Sequence, residues 1–246
     1  GIVGFPLEHT MSPVMHNAAF AAAGINAAYL AFETMDIQGC LWGMKALGIK
    51  GLSVTIPYKA AVIPFLDEVR GAAGQIGAVN TIVNEKGRLV GYNTDGLGAL
   101  KALKGIVPGI GTCLLLGAGG AARAIGFVLK KHGIQVTIAN RSIERGKELS
   151  DFLGCPCISL GNVGGHAADL LVQATPVGMY PQHHQCPVPE SILRKGMVVM
   201  DVVYNPPQTR LLKLAMARGC RTVGGLAMFI HQGAEQFRLW TGQDPP

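Results

Sequence analysis

Three residue groups in this chain have types and spacings that suit chemistry. Gly117, Gly119 and Ala122 follow a short apolar run at 113–116 with G-x-G-x-x-A spacing. That order suits a diphosphate. The first glycine allows a tight turn, and the second lets backbone approach the ligand. The small third residue lets helix and strand pack closely. A helix expected over 121–131 would point free N–H groups and a positive dipole end at the phosphates. A second group, Asn140, Arg141, Ser142 and Arg145, follows a β-branched strand expected over 134–139. A site for NAD usually carries Asp or Glu about 20 residues after the glycines, accepting from the ribose hydroxyls. A carboxylate there would repel a 2′-phosphate, whereas a guanidinium pairs with it. The basic finish therefore points to NADP.

The third group is Lys59 with Asp95. Each lies just past an expected strand, in Gly51-Leu52-Ser53-Val54-Thr55-Ile56-Pro57-Tyr58-Lys59 and in Gly91-Tyr92-Asn93-Thr94-Asp95-Gly96. In open α/β sheets ligands bind outside the carboxyl ends of strands, so the two could face one crevice. A lysine there can donate and accept a proton, and a nearby carboxylate favours its charged form. On spacing alone the pair reads equally well as two surface charges, one of them capping a helix.

The elements that must position these groups alternate through the chain. Strands are expected at 2–4, 28–32 and 52–56, and a hairpin at 79–83 and 88–92 around Glu85-Lys86-Gly87. Ser12 is expected to cap a helix with Pro13 in its first turn and Gly24 at its end, burying Met15, Ala18, Ala19 and Ala22. Asp36 is expected to cap a second helix ending near Gly48, and 94–103 reads as a third. A connector at 105–111 leads into the nucleotide segment. A helix after Arg145, strands at 170–173 and 198–203, and helices at 211–218 and 226–240 follow.

Composition narrows the class. The chain has 246 residues, 49% hydrophobic and 15% charged, which suits one large or two small domains with packed cores and argues against disorder. No run of about 18 apolar residues lacks a charge or breaker, so a membrane span is not expected. The net charge of +6 is scattered without aromatic interleaving, which argues against a nucleic-acid partner and favours anionic small molecules. Six cysteines without a C-x-x-C pair suggest a reducing, cytoplasmic compartment. His183, His184 and Cys186 lie in a Pro-containing stretch with no second ligand group, and read as a surface loop rather than a zinc site. Oligomeric state is not legible; a homodimer stays open, as does any segment before Gly1.

The order of motifs resembles the shikimate/quinate dehydrogenase family nearly end to end. Phe5-Pro6-Leu7, His9-Thr10-Met11-Ser12-Pro13 and His16-Asn17-Ala18-Ala19-Phe20 resemble its opening signature. The V-T-x-P-x-K segment, Ala78-Val79-Asn80-Thr81, Asn93-Thr94-Asp95-Gly96, the glycine turn and the Asn-Arg-Ser-x-x-Arg segment follow in order. Ala174-Thr175-Pro176-Val177-Gly178-Met179, Asp201-Val202-Val203-Tyr204-Asn205-Pro206 and Gly225-Leu226-Ala227-Met228 to Gln232 complete the series.

The resemblance implies an α/β fold with two domains around a cleft that closes on binding. One would be an open mixed α/β substrate domain from 1–96 plus 225–246, and the other a Rossmann-like NADP domain over 97–224. It implies reversible reduction of 3-dehydroshikimate to shikimate with NADP, in the shikimate pathway of aromatic amino-acid biosynthesis. Lys59 and Asp95 would be the catalytic pair, with no metal needed because the ammonium meets the alkoxide charge. Thr10 and Ser12 would hold the substrate carboxylate, and Thr55, Asn80, Asp95 and Gln232 the ring hydroxyls, with Tyr204 nearby. Gly117, Ala118, Gly119, Gly120 and Ala121 would cradle the pyrophosphate, Asn140, Arg141, Ser142 and Arg145 the ribose phosphate, and Thr175, Val177 and Gly225 the nicotinamide end.

Three departures bear on selectivity. Thr10 stands where the family usually has Ser, and Ser53 and Gln173 each replace an Asn. Thr10 adds a methyl to the carboxylate pocket and leaves quinate open beside shikimate. A non-catalytic sensor of such ligands is a different class, against which the intact Lys59 and Asp95 argue. A folate-type dehydrogenase of similar architecture lacks support from the hydroxyl pair.

Overall fold

The computed structural model describes every residue except 107 and 108, which fall inside the expected 105–111 connector, so that part of it lies outside the described residues. The chain divides into two compact units, Gly1–Asp95 with Gln232–Pro246, and Gly96–His231.

The first unit holds six strands: β1 Ile2–Gly4, β2 Ala31–Glu33, β3 Gly51–Val54, β4 Glu68–Val69, β5 Thr81–Glu85 and β6 Arg88–Tyr92. Their order is β2-β1-β3-β5-β6-β4. β5 is antiparallel to β3 and to β6, and the remaining pairs are parallel, so the sheet is mixed. Lys86 and Gly87 close the β5–β6 hairpin with φ of 56° and 93°. Two successive left-handed residues match the twist of the flanking strands, and Gly takes the second at no steric cost. Helix α2, Ile37–Ala46, starts where the Asp36 side chain accepts from the Gly39 N–H at 2.8 Å. A short α3, Ala72–Ile76, precedes β5.

Helix α1, Ser12–Ala22, corrects two expectations. Ser12 is its first helical residue rather than its cap; Met11 holds the cap position and makes no side-chain cap bond. The Thr10 hydroxyl instead accepts from the Ser12 N–H at 3.3 Å. The buried face is Ser12, His16 and Phe20, not Met15, Ala18, Ala19 and Ala22; Ala18 and Ala22 are exposed. Both sets have helical spacing, so periodicity could not choose between them. The aromatic ring decides, because Phe20 has far more apolar area to bury than an alanine. β2 is also shorter than expected. The Asn17 side chain donates to the Tyr29 carbonyl at 2.9 Å and accepts from its N–H at 2.7 Å, so an amide rather than a neighbouring strand satisfies that backbone.

His16 is buried and stacks on Tyr29 with ring centroids 4.4 Å apart. Its Nε2 has no hydrogen-bond partner among the described residues. Burial disfavours the imidazolium and lowers its pKa from 6.5 to about 4. The unfolded chain then binds more protons between those values, so this contribution to stability is complete above pH 6.5 and lost as pH falls through about 4. Buried Asp201 acts oppositely, since burial raises it from 3.8 to about 6 and its contribution falls as pH rises through that window. A His16→Phe comparison isolates the first term. Denaturant unfolding at pH 7 and pH 4.5 should show the parent losing roughly 2–3 kcal/mol more than the variant. Equal losses would mean that His16 accepts a proton without cost.

The second unit carries β7 Thr112–Leu116, β8 Gln135–Asn140, β9 Cys157–Ser159, β10 Leu170–Gln173, β11 Val198–Asp201 and β12 Arg221–Val223. Their order is β12-β11-β10-β7-β8-β9, and every pair is parallel. The direction of winding reverses between β7 and β10, which makes the crevice outside their carboxyl ends a topological switch point. Side chains alternate between two core layers. Cys113 and Leu115 join α5, Gly120–Lys131, and α6, Ile143–Leu153, while Leu114 and Leu116 join α7, Arg210–Ala217. Both sheet faces are thus covered, as a parallel sheet requires. Helix α6 begins before Arg145 rather than after it, because Ser142 caps it and accepts from the Arg145 N–H at 3.3 Å.

Helix α4, Asp95–Ala102, and helix α8, Gly225–Thr241, both run across the division between the units. Among the described residues no helix is long and apolar enough to cross a membrane.

Candidate active site

In the first unit, Lys59 follows β3 and Asp95 opens α4. The Val79 N–H donates to the Lys59 carbonyl at 2.7 Å, fixing the backbone under the lysine. The Asn93 side chain donates to the Ala78 carbonyl at 2.9 Å and accepts from the Asp95 N–H at 3.0 Å, fixing the backbone under the aspartate. The side chains meet: Lys59 Nζ lies 2.5 Å from Asp95 Oδ2. Only 15% and 6% of these side chains is exposed, so water screens the pair weakly. Asp95 also lies in the first turn of α4, where the helix dipole favours a carboxylate.

Asn80 organises the other face of the carboxylate. Its Nδ2 donates to Asp95 Oδ1 and to Thr94 Oγ1, each at 2.9 Å, while its Oδ1 accepts from the Thr94 N–H at 2.8 Å. Gln232 Oε1 lies 3.4 Å from the same Nδ2. Lys59, Asn80, Asp95 and Gln232 therefore share one hydrogen-bonded cluster. Thr10 and Ser12 meet at the start of α1, with Thr10 half-buried and Ser12 buried. Thr55 is half-buried at the end of β3. Tyr204 belongs to the second unit, where it stacks on Phe229 at 4.4 Å.

The expected nucleotide residues all fall in the second unit. Gly117 has φ +110°, and a Cβ there would stand 2.8 Å from the Ala174 carbonyl oxygen just past β10, so both conformation and packing demand glycine. Gly119 differs, because a Cβ there would meet nothing within 4 Å. The protein's own packing does not need that glycine, whereas a diphosphate seated on the turn would. Gly225 packs against the Val202 and Val203 carbonyls, each 2.5 Å from where a Cβ would sit. Residues 117–121 thus form a bare turn leading into the twelve-residue α5, which fits a dinucleotide diphosphate.

Past β8, Arg141 and Arg145 are exposed and make no ion pair among the described residues. Asn140 shapes the turn by donating to the Ser142 carbonyl at 2.8 Å. The Ser142 hydroxyl donates to Glu144 at 2.8 Å besides capping α6, so a phosphate would compete with that carboxylate for its proton. Burial is complete at Gln173, which explains one of the sequence departures. Its amide donates to the Thr175 and Val177 carbonyls at 3.2 and 2.8 Å and accepts from Thr175 Oγ1 at 3.0 Å, pinning the 174–177 loop.

Sequence reasoning missed Thr81 and Gln236, whose buried polar groups reach Asn80, and Tyr29, which reaches Gln236 through Ser53. Gln236 carried a usable signal, since it stands four residues after Gln232 on the same helix face.

A six-stranded parallel sheet with a switch-point glycine turn, and a buried ammonium–carboxylate pair on a mixed sheet, define a dinucleotide-type α/β dehydrogenase scaffold. Models described as the shikimate dehydrogenase substrate binding domain and the shikimate 5′-dehydrogenase C-terminal domain match residues 2–82 and 225–246. A shikimate dehydrogenase (NADP(+)) from Thermococcus kodakarensis is 50% identical, aligned over all of this chain and 91% of its own. The crystal structure of shikimate 5-dehydrogenase from Thermus thermophilus in complex with NADP(H) and shikimate superposes with a TM-score of 0.90 at 38% identity, covering 100% and 94% of the two chains. Quinate dehydrogenase from Corynebacterium glutamicum in complex with NAD gives 0.92 at 36% identity, with coverage of 100% and 94%. The chain belongs to the shikimate dehydrogenase family.

Proposed function

We propose that this protein interconverts 3-dehydroshikimate and shikimate with NADP, and that Lys59 and Asp95 carry the proton transfer. The observation that carries this reading is the buried Lys59–Asp95 contact of 2.5 Å with Asn80 on the opposite carboxylate oxygen. NADP, when bound, supplies or accepts the hydride at the ring carbon. As the ring ketone is reduced its oxygen becomes an alkoxide, and Lys59 Nζ gives it a proton. In the oxidative direction Lys59 takes the hydroxyl proton as the hydride leaves. Asp95 holds the ammonium through Oδ2 and the Asn80 amide through Oδ1, and the remaining lone pairs of its carboxylate can accept from a substrate hydroxyl. The charge that develops in the transition state meets a fixed cation, which needs no reorganisation at the moment of reaction.

Asn80, Thr55 and Gln232 supply further polar groups for the ring hydroxyls, and Thr10 and Ser12 supply hydroxyls for the carboxylate. Residues 117–121 would hold the diphosphate, Asn140, Arg141, Ser142 and Arg145 the 2′-phosphate, and the Gln173-pinned Thr175 and Val177 with Gly225 the nicotinamide. The cysteine spacing and scattered charge support a cytoplasmic enzyme acting on a small molecule.

The methyl of Thr10 bears on the carboxylate site and leaves quinate, whose carboxyl-bearing carbon carries an added hydroxyl, open beside shikimate. Initial rates of nicotinamide reduction with shikimate or quinate, each against NADP or NAD, test the reading. Turnover concentrated in shikimate with NADP is expected. A preference for quinate would keep the fold and the proton-transfer pair but overturn the choice of substrate. Binding of NADP without turnover in any combination would favour a ligand sensor.

A further inference from the structure

The buried polar groups behind Asn80 form one directed chain within the first unit. Its direction follows from a group that can only accept. The Asn80 main-chain oxygen lies 3.1 Å from the Gln236 side chain, so that amide must present Nε2 to it. Nε2 then also donates to Thr81 Oγ1 at 3.0 Å. Thr81 therefore turns its own proton to Asn80 Oδ1, at 2.8 Å. With Oδ1 engaged there and by the Thr94 N–H, Asn80 must present Nδ2 to Asp95. At the other end Gln236 presents Oε1 to Ser53, whose hydroxyl donates to it at 2.9 Å. Ser53 in turn accepts the Tyr29 hydroxyl proton at 2.5 Å.

Every side chain in this sequence from Ser53 to Asp95 is buried, and so is Tyr29. A buried amide or hydroxyl left without its partner costs far more than the bond contributes, so the members hold one mutual orientation. The two anchors that set Asn80, the Thr94 N–H and the Thr81 hydroxyl, agree on the same amide orientation. Ser53 is one of the positions where the family usually carries Asn; here a single hydroxyl bridges Tyr29 and Gln236.

We propose that Tyr29 and Ser53 are positioning residues, which act through Gln236 and Thr81 to hold the Asn80 amide against Asp95 and so keep Lys59 aligned. Neither needs to touch substrate. Without the Ser53 hydroxyl, Gln236 Oε1 loses the donor at 2.9 Å and the amide is held mainly through Nε2. Of the two anchors that point Asn80 Nδ2 at the carboxylate, the Thr81 hydroxyl is then loosened and the Thr94 N–H remains.

This inference rests on the reaction proposed above, and the test separates the two. Steady-state rates with shikimate and NADP are measured for the parent, Tyr29→Phe, Ser53→Ala and the double variant, with melting temperatures for all four. Each single variant should lower kcat about tenfold, with KM for NADP unchanged, a loss equal to about one buried hydrogen bond. The double variant should fall no further than the worse single one, because both cut the same chain. An unchanged kcat in variants that merely melt earlier would reduce the two residues to structural roles and overturn the inference, as would losses that multiply in the double variant. Should Ser53→Ala fail to fold, Tyr29→Phe decides alone, since it removes one oxygen and keeps the ring stacked on His16. A parent without shikimate turnover would instead refute the proposed reaction.

Discussion

Lys59→Ala should lower kcat for shikimate oxidation by roughly 10²–10⁴-fold, the range typical for loss of a positioned acid–base group. The substitution removes both the proton acceptor and the cation facing the developing charge. It leaves Asp95 with one oxygen still held by Asn80 Nδ2 at 2.9 Å, so the aspartate keeps its place. KM for NADP should stay near the parent value, because the expected nucleotide residues belong to the other unit. Stopped-flow or steady-state absorbance of the reduced nicotinamide gives both constants. A kcat within tenfold of the parent would remove Lys59 from proton transfer and leave its contact with Asp95 as an ordinary buried ion pair, whose loss would appear only in stability.

Replacing Arg141 and Arg145 together by Ala should cost about 100-fold in kcat/KM for NADP, about tenfold for each guanidinium–phosphate contact, and leave NAD nearly unaffected. The lower end of the usual range applies because both side chains are exposed, where water and salt weaken a charge pair. Glu144 works against the same phosphate. Its carboxylate accepts from the Ser142 hydroxyl at 2.8 Å, and its pKa lies below the usual carboxylate range through hydrogen bonds from its own backbone N–H and from Ser142. It therefore keeps its charge at neutral pH beside the expected phosphate position. The measured quantity is the NADP-to-NAD ratio of kcat/KM. Equal losses for both cofactors would show that the arginines contribute general charge or folding rather than reading the 2′-phosphate.

Much of this arrangement was legible in residue order, for particular reasons. The strand, glycine turn and helix at 112–131 announce themselves because each step has its own physical requirement: an apolar strand buried on both faces, a turn without Cβ atoms, and a small residue under the helix. The hairpin was readable from Lys86-Gly87 because two left-handed residues are rarely needed elsewhere. Lys59 and Asp95 could be placed after strands, but their contact depends on how β3 and α4 lie in space, which spacing does not encode. The strands β4, β9 and β12 went unread because two or three residues carry no period. The buried face of α1 was misassigned because alanines satisfy helical spacing without needing burial, whereas His16 is drawn in by stacking on Tyr29. The chain from Tyr29 to Asn80 joins residues up to 183 positions apart, and no local signal marks such a network.

The most direct test of the reaction follows one hydrogen. NADPH carrying deuterium at the transferable position is mixed with 3-dehydroshikimate in ordinary water, and the product alcohol is examined by mass spectrometry and proton NMR. One deuterium is expected on the carbon that bore the ketone, with the hydroxyl proton drawn from Lys59 and exchangeable with solvent. A product whose ring carbon carries only solvent hydrogen, formed while the reduced cofactor is consumed, would contradict direct hydride transfer and with it the role given to Lys59 and Asp95.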